Sequence, residues 1–224
     1  MPVNTVSRPL STVELDALVG TIRSALVSDV LDGMGLRDQC LAPGLLPVDG
    51  ELTMVGYAYN TMARLVDAVP DVPYIGLLDA LDAVATDDVW VVSSSSDAAL
   101  WGELTSTSVR ARGVRGTVCD GYMRDLRMVR DLGFPVFSRG TSPRDANGRI
   151  EIERYSGVIE VAGVPIANGD LVVGDDDGVV VVPSTLILEV VSAALEKASA
   201  ESEFRAAVAQ GMKPSDAYRQ FGVL

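Results

Sequence analysis

Hydrophobic positions change period several times along the chain, and the changes mark its elements. Ser11-Thr-Val-Glu14 has the spacing of a capping box, predicting a helix that runs to about Val27 with Gly20 a weak point inside it. A second short helix is expected from Ser28 to Gly33 or Gly35, and proline and glycine make residues 40–50 a loop. Residues 51–66 alternate like a strand, with Gly56 marking a bulge. Apolar spacing from Pro73 to Ala85 is helical, and Asp-Asp-Val-Trp-Val-Val (87–92) reads as a short strand running into a serine-rich loop.

The pattern is most informative between residues 97 and 139. Leu104 to Arg112 reads as a helix ending at Gly113, Val114–Asp120 as a strand, and Gly121-Tyr-Met as a tight turn. Arg124–Leu132 reads as a helix stopped by Gly133, and Phe134–Ser138 as the next strand. Such a strand–helix–strand unit is expected to be parallel and right-handed, with ligands gathering at the strand's carboxyl end. Arg124 and Asp125 fall there. Beyond Arg149 the chain is β-rich, and residues 170–183 predict a hairpin whose turn holds Asp175, Asp176 and Asp177. Ser184 is expected to cap a long helix ending near Gln210-Gly211, followed by a short one over 214–221. With no repeat and no interior linker, residues 1–224 are expected to form one α/β domain, its N-terminal helices within about 11–35 and its C-terminal helices within about 184–221.

Charge sharpens this picture. The net charge of −13 argues against nucleic acid or an anionic membrane as a partner. Residues 110–154 nevertheless carry ten arginines against six acids, a net of +4, which leaves −17 for the rest. A basic island in an acidic chain suits an anionic ligand or an acidic neighbouring subunit, although most of these arginines are expected merely to solvate helix faces. No apolar run is long enough to span a bilayer, and the first residues lack a signal peptide's apolar stretch. Cys40 and Cys119 form no paired motif, so a reducing cytoplasm is the expected location and Cys119 is expected to be a core thiol.

The chain contains no histidine. This excludes Ser-His and Cys-His nucleophile pairs, HExxH zinc sites and imidazole acid–base catalysis. A metal would be held by oxygen ligands, pointing to Mg2+ or Mn2+, and protons would move through carboxylate, Lys, Tyr, Cys or metal-bound water. Arg124 opposes the dipole of the helix it opens, whereas Asp125 complements it. The pair is either a surface cap or an anion clamp beside a metal-binding carboxylate. Trp101-Gly-Glu-Leu-Thr105 enters a helix through Gly102, and first-turn amides without helical acceptors bind carboxylate or phosphate. Arg139 is expected in an interface ion pair, and Asp120 is expected to orient the Gly121–Arg124 turn.

Taken together, W-G-E-L (101–104), D-G-x-x-R-D (120–125), G-F-P-V-F-x-R-G (133–140) and G-D-x-x-V-x-D-D-D-G-V-V-V-V-P (169–183) resemble the RraA-like family from about Ser28 onward. That family includes class II pyruvate aldolases acting on 4-hydroxy-4-methyl-2-oxoglutarate and 4-carboxy-4-hydroxy-2-oxoadipate, and inhibitors of ribonuclease E. The resemblance implies a swivelling-type α/β sandwich with a mixed sheet, assembled as a homotrimer or homohexamer with sites between subunits. It implies a metal-dependent lyase releasing pyruvate from a 4-hydroxy-2-oxo acid, with oxaloacetate decarboxylation as a side activity. Gly102, Glu103, Leu104 and Thr105 would form the anion-binding turn, Arg124 would bind substrate, and Asp125 would be the protein ligand to Mg2+ or Mn2+. Glu201 or Glu203 of a neighbouring subunit would enter the metal's water shell. The chain departs from the aldolase pattern at Met128, where an acid usually stands, and at Tyr122, which is bulkier than usual.

Overall fold

The computed structural model describes residues 8–50 and 52–224. The capping box is present: Ser11 Oγ accepts from the Glu14 amide and Glu14 reaches back to the Ser11 amide. The helix it opens is short, however. α1 (Thr12–Leu18) ends before Gly20, which lies at φ 79°, and α2 (Ser24–Gly33) starts afresh. The single long helix to Val27 is therefore two helices, and the second begins at Ser24 rather than Ser28. The restart has a cause far along the chain, because Asp175 accepts from both the amide and the hydroxyl of Ser24.

β1 (Leu46–Pro47) interrupts the expected 40–50 loop, and β2 (Met54–Leu65) follows. Gly56 makes no bulge; it pairs in register with Val172, and a Cβ there would lie 2.7 Å from the Asp87 carbonyl oxygen. Next come α3 (Ile75–Ala83), β3 (Asp88–Ser93), β4 (Ala99–Trp101), α4 (Glu103–Arg110) and β5 (Gly116–Met123). β5 absorbs Gly121, Tyr122 and Met123, so the expected tight turn is strand. The turn comes two residues later, where Asp125 takes φ 62°. α5 (Leu126–Leu132) and β6 (Val136–Thr141) complete the parallel strand–helix–strand unit.

β7 (Ile150–Arg154), β8 (Ile159–Val161), β9 (Val164–Ile166), β10 (Leu171–Asp175) and β11 (Gly178–Val182) supply the β-rich segment. β10 and β11 form the expected hairpin, with Asp175 paired to Gly178 across Asp176 and Asp177. A 3-10 turn (Ser184–Leu186) precedes α6 (Ile187–Ala209), and α7 (Pro214–Phe221) ends the fold. Ser184 does not cap α6 through its side chain; its amide instead donates to Asp170.

The main sheet runs β1-β6-β5-β3-β2-β10-β11, with β4 added on β5 and β7 on β2. β2, β3, β5 and β6 are parallel neighbours and the hairpin joins antiparallel, giving a mixed α/β fold. Parallel strands covered on both faces read as continuous apolar runs, which is why β3 and β5 are buried almost throughout and do not alternate. One face packs on α3, α4 and α5 around Trp90 and Trp101, whose rings lie 5.3 Å apart. A second core joins α1, α2 and α6 to the hairpin, and a third packs β8 and β9 over Phe137 and Val118. No helix among the described residues is long and apolar enough to cross a membrane.

Candidate functional site

The site is set by the pairing of two strand ends. β4 lies parallel to β5, with Trp101 opposite Met123, so the residues that leave the two strands emerge side by side. The Arg124 amide donates to the Trp101 carbonyl at 2.9 Å. Gly102 then opens α4 and Asp125 opens α5, and two helix N-termini converge on one place. Trp101 is locked beneath them: its indole Nε1 donates to Ser106 Oγ at 2.8 Å, and that hydroxyl donates to the Gly102 carbonyl.

Asp125 does not cap its own helix. Its left-handed backbone, which Asp tolerates better than most residues, turns the carboxylate across to α4. Oδ2 accepts from the Glu103 amide at 3.2 Å. Gly102 permits this approach: a Cβ there would lie 2.8 Å from Asp125 Oδ2 and 3.3 Å from Arg124 Cγ. The extended φ of −165° is open to any residue, so it is space that demands glycine.

The four residues of the expected anion turn are thus brought together with Arg124 and Asp125. Thr105 Oγ1 accepts from the Gly102 amide and donates to its carbonyl, which pins the turn. The amides of Leu104 and Thr105 belong to the first helical turn and have no intrahelical acceptor. The Glu103 side chain accepts from Thr107 along α4, leaving its backbone at the site. Arg124 is 40% exposed at its side chain; Nε lies 3.7 Å from Asp125 Oδ2, and Nη1 lies 3.1 Å from Asp145 Oδ1.

Asp145 and Tyr74 escape the sequence patterns. Asp145 lies in the Ser-Pro-Arg-Asp-Ala-Asn-Gly loop after β6, and the only sequence signal for it is that loops leaving parallel strands share one carboxyl edge. Burial above all, then the charge of Asp145 and a hydrogen bond to it, push the Tyr74 hydroxyl above its ordinary value, while Arg124 pulls it down.

Other expectations need correction or stay outside the site. Arg139 pairs within the chain, with Asp120. Asp120 accepts from Ser93 Oγ and the Ala162 amide, so it ties β5 to β3 and to the β8–β9 ribbon rather than ordering Gly121–Arg124. Burial drives the Cys119 thiol far above its usual range, in keeping with an inert core thiol. Glu201 pairs with Arg205 on α6, which packs on α2 and α7, and Glu203 is exposed. Met128, on α5, and Tyr122, on β5, are both exposed. No group of three His, Cys, Asp or Glu residues that could hold a metal occurs among the described residues. The residues before Arg8, on which the leader expectation rested, lie outside the described set.

Residues 24–181 match the RraA-like family (Aldolase/RraA). The chain is 30% identical over 213 residues to the Halalkalibacterium halodurans protein named "Putative 4-hydroxy-4-methyl-2-oxoglutarate aldolase", covering 93% of this chain and 96% of that one. It is also 27% identical over 190 residues to DlpA of Legionella pneumophila, spanning 84% of this chain but only 30% of DlpA. Among solved structures it superposes on Streptomyces coelicolor RraAS2, described as an unusual member of the RNase ES inhibitor RraA protein family, with TM-score 0.76 and 29% identity, covering 89% and 98% of the two chains. With the family match extending over most of its length and the mixed sheet shared with a solved member, the chain belongs to the RraA-like family.

Proposed function

We propose that the chain is a divalent-metal-dependent lyase that cleaves a 4-hydroxy-2-oxo acid and releases pyruvate. The observation that carries the reading is the convergence of the Arg124 guanidinium, the Asp125 carboxylate and the first-turn amides of α4 at one strand edge. The H. halodurans relative supports the same substrate class.

The donor set fits a hard cation. Asp125 offers one carboxylate whose Oδ2 is oriented by the Glu103 amide, and with no three-residue cluster among the described residues the remaining ligands would be water and a chelating keto acid. Mg2+ or Mn2+ bound there would supply Lewis-acid stabilisation of negative charge on the 2-oxo group. The chain's own residues bind the substrate and its developing charge, while water takes the 4-hydroxyl proton and returns a proton to C3 of the released pyruvate. The Leu104 and Thr105 amides hold the substrate carboxylate at the positive end of α4. Arg124 donates charge-assisted hydrogen bonds to the oxygen that becomes anionic as the C3–C4 bond breaks. Oxaloacetate decarboxylation places charge on the same atoms and is an expected side activity.

On one chain the pair is half-exposed. Completion by a neighbouring copy, in a homotrimer or homohexamer with Glu201 or Glu203 entering the metal's water shell, belongs to the same proposal. Pyruvate release from oxaloacetate and from 4-hydroxy-2-oxo acids, followed with and without EDTA, tests it. Turnover that survives both EDTA and Asp125→Asn would rule the mechanism out. The likeness to RraAS2 favours a second reading, a non-catalytic inhibitor of an RNase E-type ribonuclease. It predicts no pyruvate release together with slowed RNA cleavage by the ribonuclease.

A further inference from the structure

Arg124 is gripped at both ends by parts of the chain that lie apart in sequence. Its stem passes over Gly102, where an added Cβ would stand 3.3 Å from Arg124 Cγ, and its amide donates to the Trp101 carbonyl at 2.9 Å. Its head meets the loop that follows β6. Nη1 donates to Asp145 Oδ1 at 3.1 Å, closer than the 3.7 Å between Nε and Asp125 Oδ2. Among the described residues Nη2 donates to no partner, so that nitrogen stays available to a ligand.

The loop fixes Asp145 without using its carboxylate. The Ser142 amide donates to the Met123 carbonyl and the Ala99 amide to the Arg144 carbonyl, both at 2.9 Å. Arg144 pairs with Asp97, and Arg149 Nη1 donates to the Asp145 carbonyl at 3.0 Å. These ties fasten the loop to β4 and β5, from which Gly102 and Arg124 emerge, and leave the Asp145 side chain to serve the guanidinium.

A half-exposed arginine otherwise swings through many rotamers, and ordering such a side chain only when a ligand arrives costs up to about tenfold in affinity. A carboxylate beside the guanidinium also subtracts from its pull on an anion. With both side chains at least 40% exposed, water screens that subtraction, and orientation is the larger effect. We infer that Asp145 is a positioning residue: its carboxylate holds the Arg124 guanidinium in place before an anionic oxygen arrives, so that the ligand need not order it. The inference rests on the proposal that Arg124 receives the oxygen that becomes anionic during cleavage. It adds to that site a residue outside the W-G-E-L and D-G-x-x-R-D motifs.

Binding rather than turnover is the test. Oxalate is the probe, because it chelates Mg2+ as a 2-oxo acid does and carries an anionic oxygen where the enolate would. By titration calorimetry with Mg2+ present, Asp145→Ala should bind oxalate about five- to tenfold more weakly than the native chain. Asp145→Ser, also too short to reach Nη1, should show the same loss and stands in if the alanine variant folds poorly. Asp145→Asn keeps an acceptor for Nη1 and should stay within about twofold of native. Added to Arg124→Ala, the Asp145→Ala change should weaken oxalate by less than about a further twofold, because two residues acting as one unit are not additive. Unchanged or tighter oxalate binding by Asp145→Ala overturns the inference and would make the acid a plain competitor for Arg124. So does an Asp145→Asn variant as weak as the alanine one, and so does a full further loss in the Arg124→Ala background. A native chain that binds no oxalate overturns the inference and the lyase reading together. Oxalate bound with the expected pattern, but no pyruvate released from any 2-oxo acid, would refute the lyase reading alone.

Discussion

Replacing Gly102 by alanine adds one carbon at the most crowded point of the site. The new Cβ would stand 2.8 Å from Asp125 Oδ2, and ordinary contact begins at 3.4 Å, so the carboxylate must retreat by at least 0.6 Å. The backbone at Gly102 is extended and accepts alanine without torsional strain. Stability should change little. The Glu103 amide's bond to Asp125 is solvent-exposed at 3.2 Å, so its loss costs only about 0.5–1.5 kcal/mol, and the stiffer unfolded chain offsets about 0.4–1 kcal/mol of it. Catalysis is less forgiving, because a misplacement of about 1 Å can cost on the order of a hundredfold. Gly102→Ala should therefore lose about 10–100-fold in kcat/KM for pyruvate release, and need a higher Mg2+ concentration for half-maximal rate, while its melting temperature falls by only a few degrees. Gly33→Ala serves as the control, since a Cβ there meets nothing within 4 Å. If Gly102→Ala keeps native kcat/KM and Mg2+ dependence, then Asp125 is not a metal-positioning group and the argument from space is mistaken.

Asp125→Asn retains a residue that tolerates the left-handed backbone but removes the charge, so metal-dependent pyruvate release should drop by at least about a hundredfold with circular dichroism unchanged; residual EDTA-sensitive turnover near the native level would contradict this. Ser106→Ala strips the buried Trp101 Nε1 of its acceptor, and urea denaturation should record a loss of about 1–3 kcal/mol. Of the two cysteines, only the exposed Cys40 should react with a thiol reagent in the native protein at pH 8. Burial holds the Cys119 thiol protonated well above that pH, so one equivalent should titrate in buffer and two in denaturant.

Local patterns carried far along this chain where the signal and its consequence lie close together. The capping box at Ser11, the hairpin around Asp176-Asp177 and the parallel unit from Gly116 to Thr141 all stand where hydrophobic period and turn chemistry place them. Failures came where a distant residue decides. The helix from Ser11 breaks ahead of Gly20, but the start of the next one is fixed by Asp175, far along the chain, which claims the Ser24 amide, and no window of sequence contains both. The expected turn at Gly121-Tyr-Met is strand because β4 pairs alongside and carries β5 three residues further. Three apolar residues, Ala99–Trp101, are too few to announce a strand by periodicity.

That short strand is also what turns a motif into a site. Arg124 and Asp125 by themselves could be a surface arginine beside a helix cap, and W-G-E-L by itself could be packing. Their separation in sequence hides that β4 and β5 end together, with Trp101 opposite Met123 and its carbonyl holding the Arg124 amide. Once the ends are aligned, the left-handed turn at Asp125 leaves its carboxylate one productive direction, toward the amides of α4, and only glycine at 102 leaves room for it. A helix cap would have kept the carboxylate on its own first turn. That Asp125 instead crosses to a neighbouring helix, beside a guanidinium already opposed by Asp145, is a charge arrangement with little to offer folding, since a part-exposed ion pair is worth at most about 1 kcal/mol. The anion-binding centre proposed above would give such an arrangement a use.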